Sequence, residues 1–286
     1  MPRYALLSDI HANIEALQAV LADVEKRNVD EILVLGDIIG YGPDPKECWE
    51  KVCEVANVML IGNHEQEIVA ADDDYTGGDV KAMLKWTEQQ LQNSSSWTEF
   101  IAPITVENYP EYALKIYNGK TFVHAAAHSP TKQYIWPGYE GFYIIYNDQL
   151  DSRLLEFMSA FTTQHGFFGH THVPTVLTYY RNKLIFDIEG TWNKEMTFIG
   201  PNTIFFVPQG KMRIEDLADK HAYINPGSVG QPRDGDPRAA YAIYDDTSIE
   251  FIRVVYDFTK TQEKVSQLPV SEGIKKRTID RLAKGK

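Results

Sequence analysis

Two cysteines in 286 residues, Cys48 and Cys53, are too few for a disulfide framework, and without a second pair they do not complete a structural zinc site. The compartment expected from this is the reducing cytosol. No stretch approaches the roughly 20 apolar residues that cross a bilayer, so no membrane partner is expected. The N-terminal stretch MPRYALLSDIH has too short an apolar run for a signal peptide and leads straight into Asp9 and His11. Basic residues are scarce too. The 28 Lys and Arg stand against 40 Asp and Glu, a net charge of −12, which excludes a general nucleic-acid binder with a basic face. The basic tail KKRTIDRLAKGK is a local exception and reads as a solvated helix face. Internal repeats and low-complexity segments are absent. What remains is an ordinary globular composition, 43% apolar and 24% charged, long enough for one large core with an added subdomain.

The first half alternates. RYALLSD reads as a buried strand, NIEALQAVLADVEKR as an amphipathic helix, EILVLGD and ANVMLIGNHE as further strands. Strand–helix alternation predicts a parallel or mixed sheet covered by helices. Residues 66–115 break the pattern with an acidic turn-rich loop and helical stretches, and read as an insertion or cap beside the core. KTFVH is another strand, residues 148–163 a helix, and GFFGHTH follows. From about residue 174 the chain turns β-rich. TVLTYY with KLIFDI, TIFFVP with KMRIED, and AAYAIYD with IEFIRVVYD are read as hairpins. A last helix is expected over residues 271–284.

The polar residues fall at strand ends. ALLSDIH supplies Asp9 and His11, LVLGD supplies Asp37, MLIGNHE supplies Asn63 and His64, FVH supplies His124, and FFGHTH supplies His170 and His172. Ligands of open α/β sheets bind at the carboxyl ends of strands, so these side chains can converge on one rim. Gly36, Gly62 and Gly169 precede three of the groups and permit close approach. Imidazole with carboxylate suits borderline metals such as zinc, iron and manganese. The set exceeds what one tetrahedral ion needs and fits two ions roughly 3.5–4 Å apart. Singly, each motif has a bland reading as loop, cap or surface pair. Their joint occurrence at strand ends is what carries weight.

In this order the motifs resemble the calcineurin-like metallophosphoesterase family: D-x-H (Asp9, His11), G-D (Asp37), G-N-H-[DE] (Asn63, His64, Glu65), a lone His (His124) and G-H-x-H (His170, His172). GDIIGYGPDP and NPGSVGQPRDGDPRAAYAIYD look like a bacterial single-domain branch. The resemblance implies a four-layer αββα sandwich of two mixed sheets in one domain, with the first half supplying the α/β layers and the β-rich half the other sheet. It implies that Asp9, His11 and His172 hold one metal, that Asn63, His124 and His170 hold the other, and that Asp37 bridges them. Hydroxide held between the metals would attack phosphorus, with His64 as the general acid. His128, in VHAAAHSP, competes with His124 for the lone-His role. Glu65 is expected to orient a ligand or His64, Tyr41 and Asn225 to line the pocket, and Arg233 or Arg238 to contact phosphate. Trp136 and Trp192 are candidates to stack on a base. The expected cofactors are two divalent or trivalent ions drawn from Mn, Fe, Zn and Ni, and the expected partner is a small phosphorylated, nucleotide-like substrate. A phosphodiesterase is favoured over a protein Ser/Thr phosphatase, a dinucleoside polyphosphate hydrolase, or a non-catalytic metal-binding scaffold. The substrate and the oligomeric state stay open, because specificity lives in loops.

Overall fold

A computed structural model of the protein describes residues 2–70, 78–134, 157, 159–179, 196–198, 203–206, 210–213 and 221–286. The chain opens with β1 (Tyr4–Leu7), α1 (Ile14–Val24), β2 (Glu31–Val34), α2 (Pro45–Val55), β3 (Val58–Met59) and α3 (Asn63–Ala70). Helices α4 (Gly78–Leu91), α5 (Ser95–Ile101) and α6 (Pro110–Ala113) follow. Then come β4 (Leu114–Tyr117), β5 (Lys120–Val123), β6 (His165–Phe167), β7 (Thr175–Tyr179), β8 (Met196–Phe198), β9 (Thr203–Phe206) and β10 (Gly210–Arg213). The chain closes with β11 (His221–Asn225), β12 (Ala239–Asp245), β13 (Ser248–Val254), α7 (Phe258–Ser266) and α8 (Glu272–Lys284).

Among the described residues these strands form two mixed sheets, ordered β10-β13-β12-β1-β2-β3 and β4-β5-β6-β11-β7-β9-β8. Strands β1, β2 and β3 run parallel, as do β5, β6 and β11. The alternation of side chains sorts each strand between layers. Ala5 and Leu7 of β1 pack among Leu17, Val20 and Trp49 of α1 and α2, while Tyr4 and Leu6 face Phe122, Phe167 and Ile224 of the second sheet. On that sheet's far side Val123, Leu177 and Tyr223 meet Phe157 and Phe161. Phe157, Ser159 and Ala160 are helical. The result is the expected αββα layering.

Several details differ from the sequence reading. The halves do not divide the sheets between them: β12 is the antiparallel neighbour of β1 at the centre of the first sheet, and β4 and β5 belong to the second. TIFFVP and KMRIED do not form a hairpin, because β9 pairs with β7 and β8 while β10 pairs with β13 in the other sheet. Alternation identifies a strand but not its partner. The AAYAIYD–IEFIRVV hairpin is present as β12–β13. KLIFDI with the turn that leads into it, Trp136 and Trp192 lie outside the described residues. The strand expected through ANVMLIGNHE is only Val58–Met59, and Asn63 and His64 instead open α3. No helix among the described residues is long and apolar enough to cross a membrane.

Candidate metal centre

The loops after β1 and β2 run side by side, knitted by backbone bonds from Asp9 N to Gly36 O (3.1 Å), His11 N to Asp37 O (2.9 Å) and Ala12 N to Ile38 O (2.8 Å). Asn13 then caps α1, its Oδ1 accepting from Ala16 N at 3.1 Å. From the second sheet, Gly169 N donates to His124 O at 2.7 Å, so the ends of β5 and β6 meet. The two sheets' loops join where His170 N donates to the Asp9 carboxylate at 3.0 Å. Asn225 does not line the pocket. It is buried, and donates to Gly169 O (2.7 Å) and Thr171 Oγ1 (2.9 Å), holding the GHTH turn in shape.

Six of the sequence-predicted ligands form two buried groups that share one carboxylate. Asp9, His11, Asp37 and His172 make the first; Asp37, His124 and His170 the second, with ligand atoms within 4.8 Å of one another in each. Asn63 Oδ1 lies 3.3 Å from His124 Nε2 and extends the second group. His124 is fully buried in it, whereas His128 is exposed on the neighbouring turn, outside both groups. Asp9, His11, Asp37, His170 and His172 all have φ between 48° and 68°. Left-handed backbone costs a non-glycine residue of order 1–3 kcal/mol, and such residues persist where surrounding structure holds them for function. Close approach is equally built in: a Cβ on Gly62 would lie 2.0 Å from Asp37 Oδ1, and one on Gly40 (φ +85°) 2.0 Å from His64 Nδ1.

The donor set fits cations. A carbonyl only accepts, so His11 Nδ1 donates to Ile39 O (3.2 Å), His172 Nδ1 to Gln231 O (2.6 Å) and His124 Nδ1 to Leu35 O (2.8 Å). Each ring thereby presents Nε2 to the centre, the carbonyl acting as the outer partner typical of metal-binding histidines. Burial drives His11 and His172 well below the usual imidazole value, so both rings are neutral. Their Nε2 atoms then face each other at 2.9 Å as two lone pairs, an arrangement that a shared cation resolves. Burial, helped by the neighbouring Asp37 charge, pushes the Asp9 carboxyl up to about 7 against the opposing pull of His124 and Arg233. His124 goes the other way. Burial alone would lower it, but Asp37, 3.4 Å from its Nε2, raises it to about 9.

His64, at the start of α3, donates its backbone N–H to Asp37 Oδ1 at 3.0 Å. Its ring packs 4.8 Å from that of His11 and 4.6 Å from that of Tyr41, centre to centre, and burial lowers its pKa. Glu65, the next residue, is buried. Its carboxylate accepts from the backbone of Asp37 (3.1 Å), Ile38 (2.8 Å), Ile39 (3.0 Å) and Gly62 (2.7 Å), clamping the Asp37 loop onto α3. Glu65→Ala should therefore leave several buried amides unsatisfied and cost roughly 3–5 kcal/mol, measured by urea unfolding. Arg233 stands near the centre, its backbone N–H donating to His172 O at 3.2 Å, whereas the side chain of the exposed Arg238 is bound to Asp236. The sequence reading missed Tyr134, whose ring stacks on His170 at 3.8 Å, and Arg281, which lies over Tyr41. Tyr134 carried no motif signal, and Arg281 lay in the tail read as a solvated face. Beside His170, a cavity of about 180 Å³ is lined by Asn63, Gln66, Thr131, Lys132 and Tyr134.

Comparison with known proteins agrees with this geometry. Residues 2–174 match the family described as calcineurin-like phosphoesterase. An uncharacterised protein of Methanocaldococcus jannaschii is 31% identical over 267 residues, covering 91% of this chain and 90% of that protein. The crystal structure of a metallophosphoesterase from Sphaerobacter thermophilus superposes with a TM-score of 0.71 at 32% identity, covering 100% of this chain and 99% of the other. A hypothetical protein from Pyrococcus horikoshii OT3 shares the fold, with a TM-score of 0.66 at 19% identity over 100% and 99% of the two chains. The chain belongs to the calcineurin-like phosphoesterase family, and it is a metal-dependent hydrolase of phosphate esters.

Proposed function

We propose that the protein is a binuclear phosphodiesterase acting on small, nucleotide-like phosphodiesters. The observation that carries this reading is Asp37, a carboxylate common to both ligand groups. Asp9, His11 and His172 would hold one ion, Asn63, His124 and His170 the other, with Asp37 between them. When bound, the ions supply Lewis acidity, lowering the pKa of water and neutralising charge on the phosphoryl oxygens. The protein's own residues do the rest. Strained loops fix the ligand atoms before substrate arrives, so little reorganisation is left for the reaction. His64 stands beside both groups and, when protonated, donates to the departing alkoxide oxygen. Arg233, at the edge of the centre, contacts a phosphate oxygen of the substrate. The cavity beside Asn63 and His170 receives the substituent that a diester carries and a monoester lacks. The test is hydrolysis of bis-p-nitrophenyl phosphate beside p-nitrophenyl phosphate, with manganese added. A higher kcat/KM for the diester supports the reading; a higher value for the monoester overturns it.

Metal loading should also release protons. Apo His124, held up to about 9 by Asp37 against its burial, carries a proton at pH 8, and a ligand nitrogen cannot keep it. Calorimetry in buffers of different ionisation enthalpy should show about one proton leaving per chain at pH 8. Metal affinity should weaken as pH falls below about 9, because apo His124 is then protonated. Binding that is independent of buffer and pH would contradict this.

A further inference from the structure

Arg233, in the loop after β11, and Arg281, in the last turns of α8, each stand over the ring of Tyr41. Their guanidinium carbons lie 5.9 Å and 5.8 Å from the centroid of Tyr41. Tyr41 itself sits 4.8 Å from the His11 ring and 4.6 Å from that of His64, so both charges stand at the edge of the metal centre. In a chain of net charge −12, cations normally find acids. Arg27, Arg238, Arg253 and Lys264 each do. Among the described residues, no carboxylate lies within ion-pair distance of Arg233 or Arg281. Arg233 Nη2 donates to the amide oxygen of Gln231 (2.9 Å), its guanidinium also bonds the Tyr134 hydroxyl, and its Nε is buried without an acceptor. Burial and the neighbouring Arg233 both hold the Arg281 guanidinium below its usual value.

The fold maintains this unfavourable pair. Ser271 caps α8, its Oγ accepting from Ile274 N at 3.3 Å, and Gln262 of α7 donates to Ile279 O at 2.9 Å. Ile274 and Leu282 bury against Met83 and Val265. At the far end Gly285 takes a left-handed conformation, and its carbonyl accepts from Gly235 N at 2.7 Å, in the same loop as Arg233. Two guanidinium forks that share one tyrosine ring and lack carboxylate partners suit an anion with several oxygens.

We propose that Arg233 and Arg281 form a second anion subsite at the edge of the metal centre, and that the preferred substrate carries a second, non-reacting phosphate group. This rests on the phosphoesterase reading of that centre. The probes are adenosine 3′,5′-bisphosphate and adenosine 5′-monophosphate, with the metal-loaded full chain. Affinities are read from competition against bis-p-nitrophenyl phosphate and directly by calorimetry. The wild type should bind the bisphosphate at least about 10-fold more tightly than the monophosphate. Arg281→Gln should bring the ratio to within about twofold of unity, and Arg281→Lys should restore part of it, since a single ammonium replaces the fork. Metal content and melting temperature are recorded for each variant. A wild-type ratio near one overturns the proposal. So does a preference that survives in Arg281→Gln, which would assign the second phosphate to the metals. Absence of turnover in the wild type would defeat the phosphodiesterase reading instead, while the calorimetric ratio would still decide the subsite.

Discussion

Replacing Asp37 with Asn is expected to cut kcat/KM for bis-p-nitrophenyl phosphate by at least about 10³-fold, about 4 kcal/mol of transition-state stabilisation. Asn has nearly the same shape and can still accept the His64 N–H through the oxygen that now does so at 3.0 Å. What it lacks is the negative charge. Asp37 Oδ2 lies 3.7 Å from His11 Nε2 and 3.4 Å from His124 Nε2, between the two groups, and among the described residues no other carboxylate belongs to both. A neutral amide there weakens both ions together. The variant should therefore lose bound metal as well as activity, measured by elemental analysis after dialysis, with thermal melting to show that it folds. Wild-type turnover with full metal content would refute the shared-carboxylate account.

The second large effect concerns His64. His64→Ala should lower kcat by roughly 10²–10⁴-fold for esters with alkoxide leaving groups, and far less for p-nitrophenyl esters. An alkoxide needs a proton as it departs, whereas p-nitrophenolate leaves without one. The measurement is the dependence of rate on leaving-group pKa, which should steepen in the variant. The sign of the pH effect follows from burial, which holds His64 below its usual value. Its protonated form is lost as pH rises through that lowered pKa, so the His64-dependent part of the rate should fall with rising pH. An equal loss for both leaving-group classes would make His64 a positioning residue rather than the proton donor.

How much of this was legible depended on the range of the interaction. Local pattern exposed β1, β2, α1 and the polar residues that follow the apolar runs, because each signal lies within one strand or helix. Glycine before Asn63 marked a place where Asp37 approaches the backbone, and a Cβ there would lie 2.0 Å from Asp37 Oδ1. The pairing of β12 with β1 was not legible, nor was the assignment of β9 and β10 to different sheets, because partner choice depends on the whole sandwich. Glu65 shows the same limit on a smaller scale. Sequence position beside His64 suggested that it orients a ligand or His64, but not that it would do so through four backbone amides, that of Asp37 among them. The left-handed backbone at Asp9, His11, Asp37, His170 and His172 was not legible either: Asp and His are enriched there among non-glycine residues, but most of them are not left-handed, so residue type does not single out these positions. Arg281 reads as one charge among many in a basic tail. Its place beside Tyr41 follows from the docking of α8 through Leu282, Ile274 and Gly285.

The most direct test counts the metals. Apoprotein is loaded with manganese, freed of excess ion, and examined by elemental analysis and electron paramagnetic resonance. Two ions per chain with an exchange-coupled spectrum, collapsing in Asp37→Asn, is the predicted result. One ion per chain with the spectrum of isolated manganese would contradict the account, because Asp37 would then serve a single site.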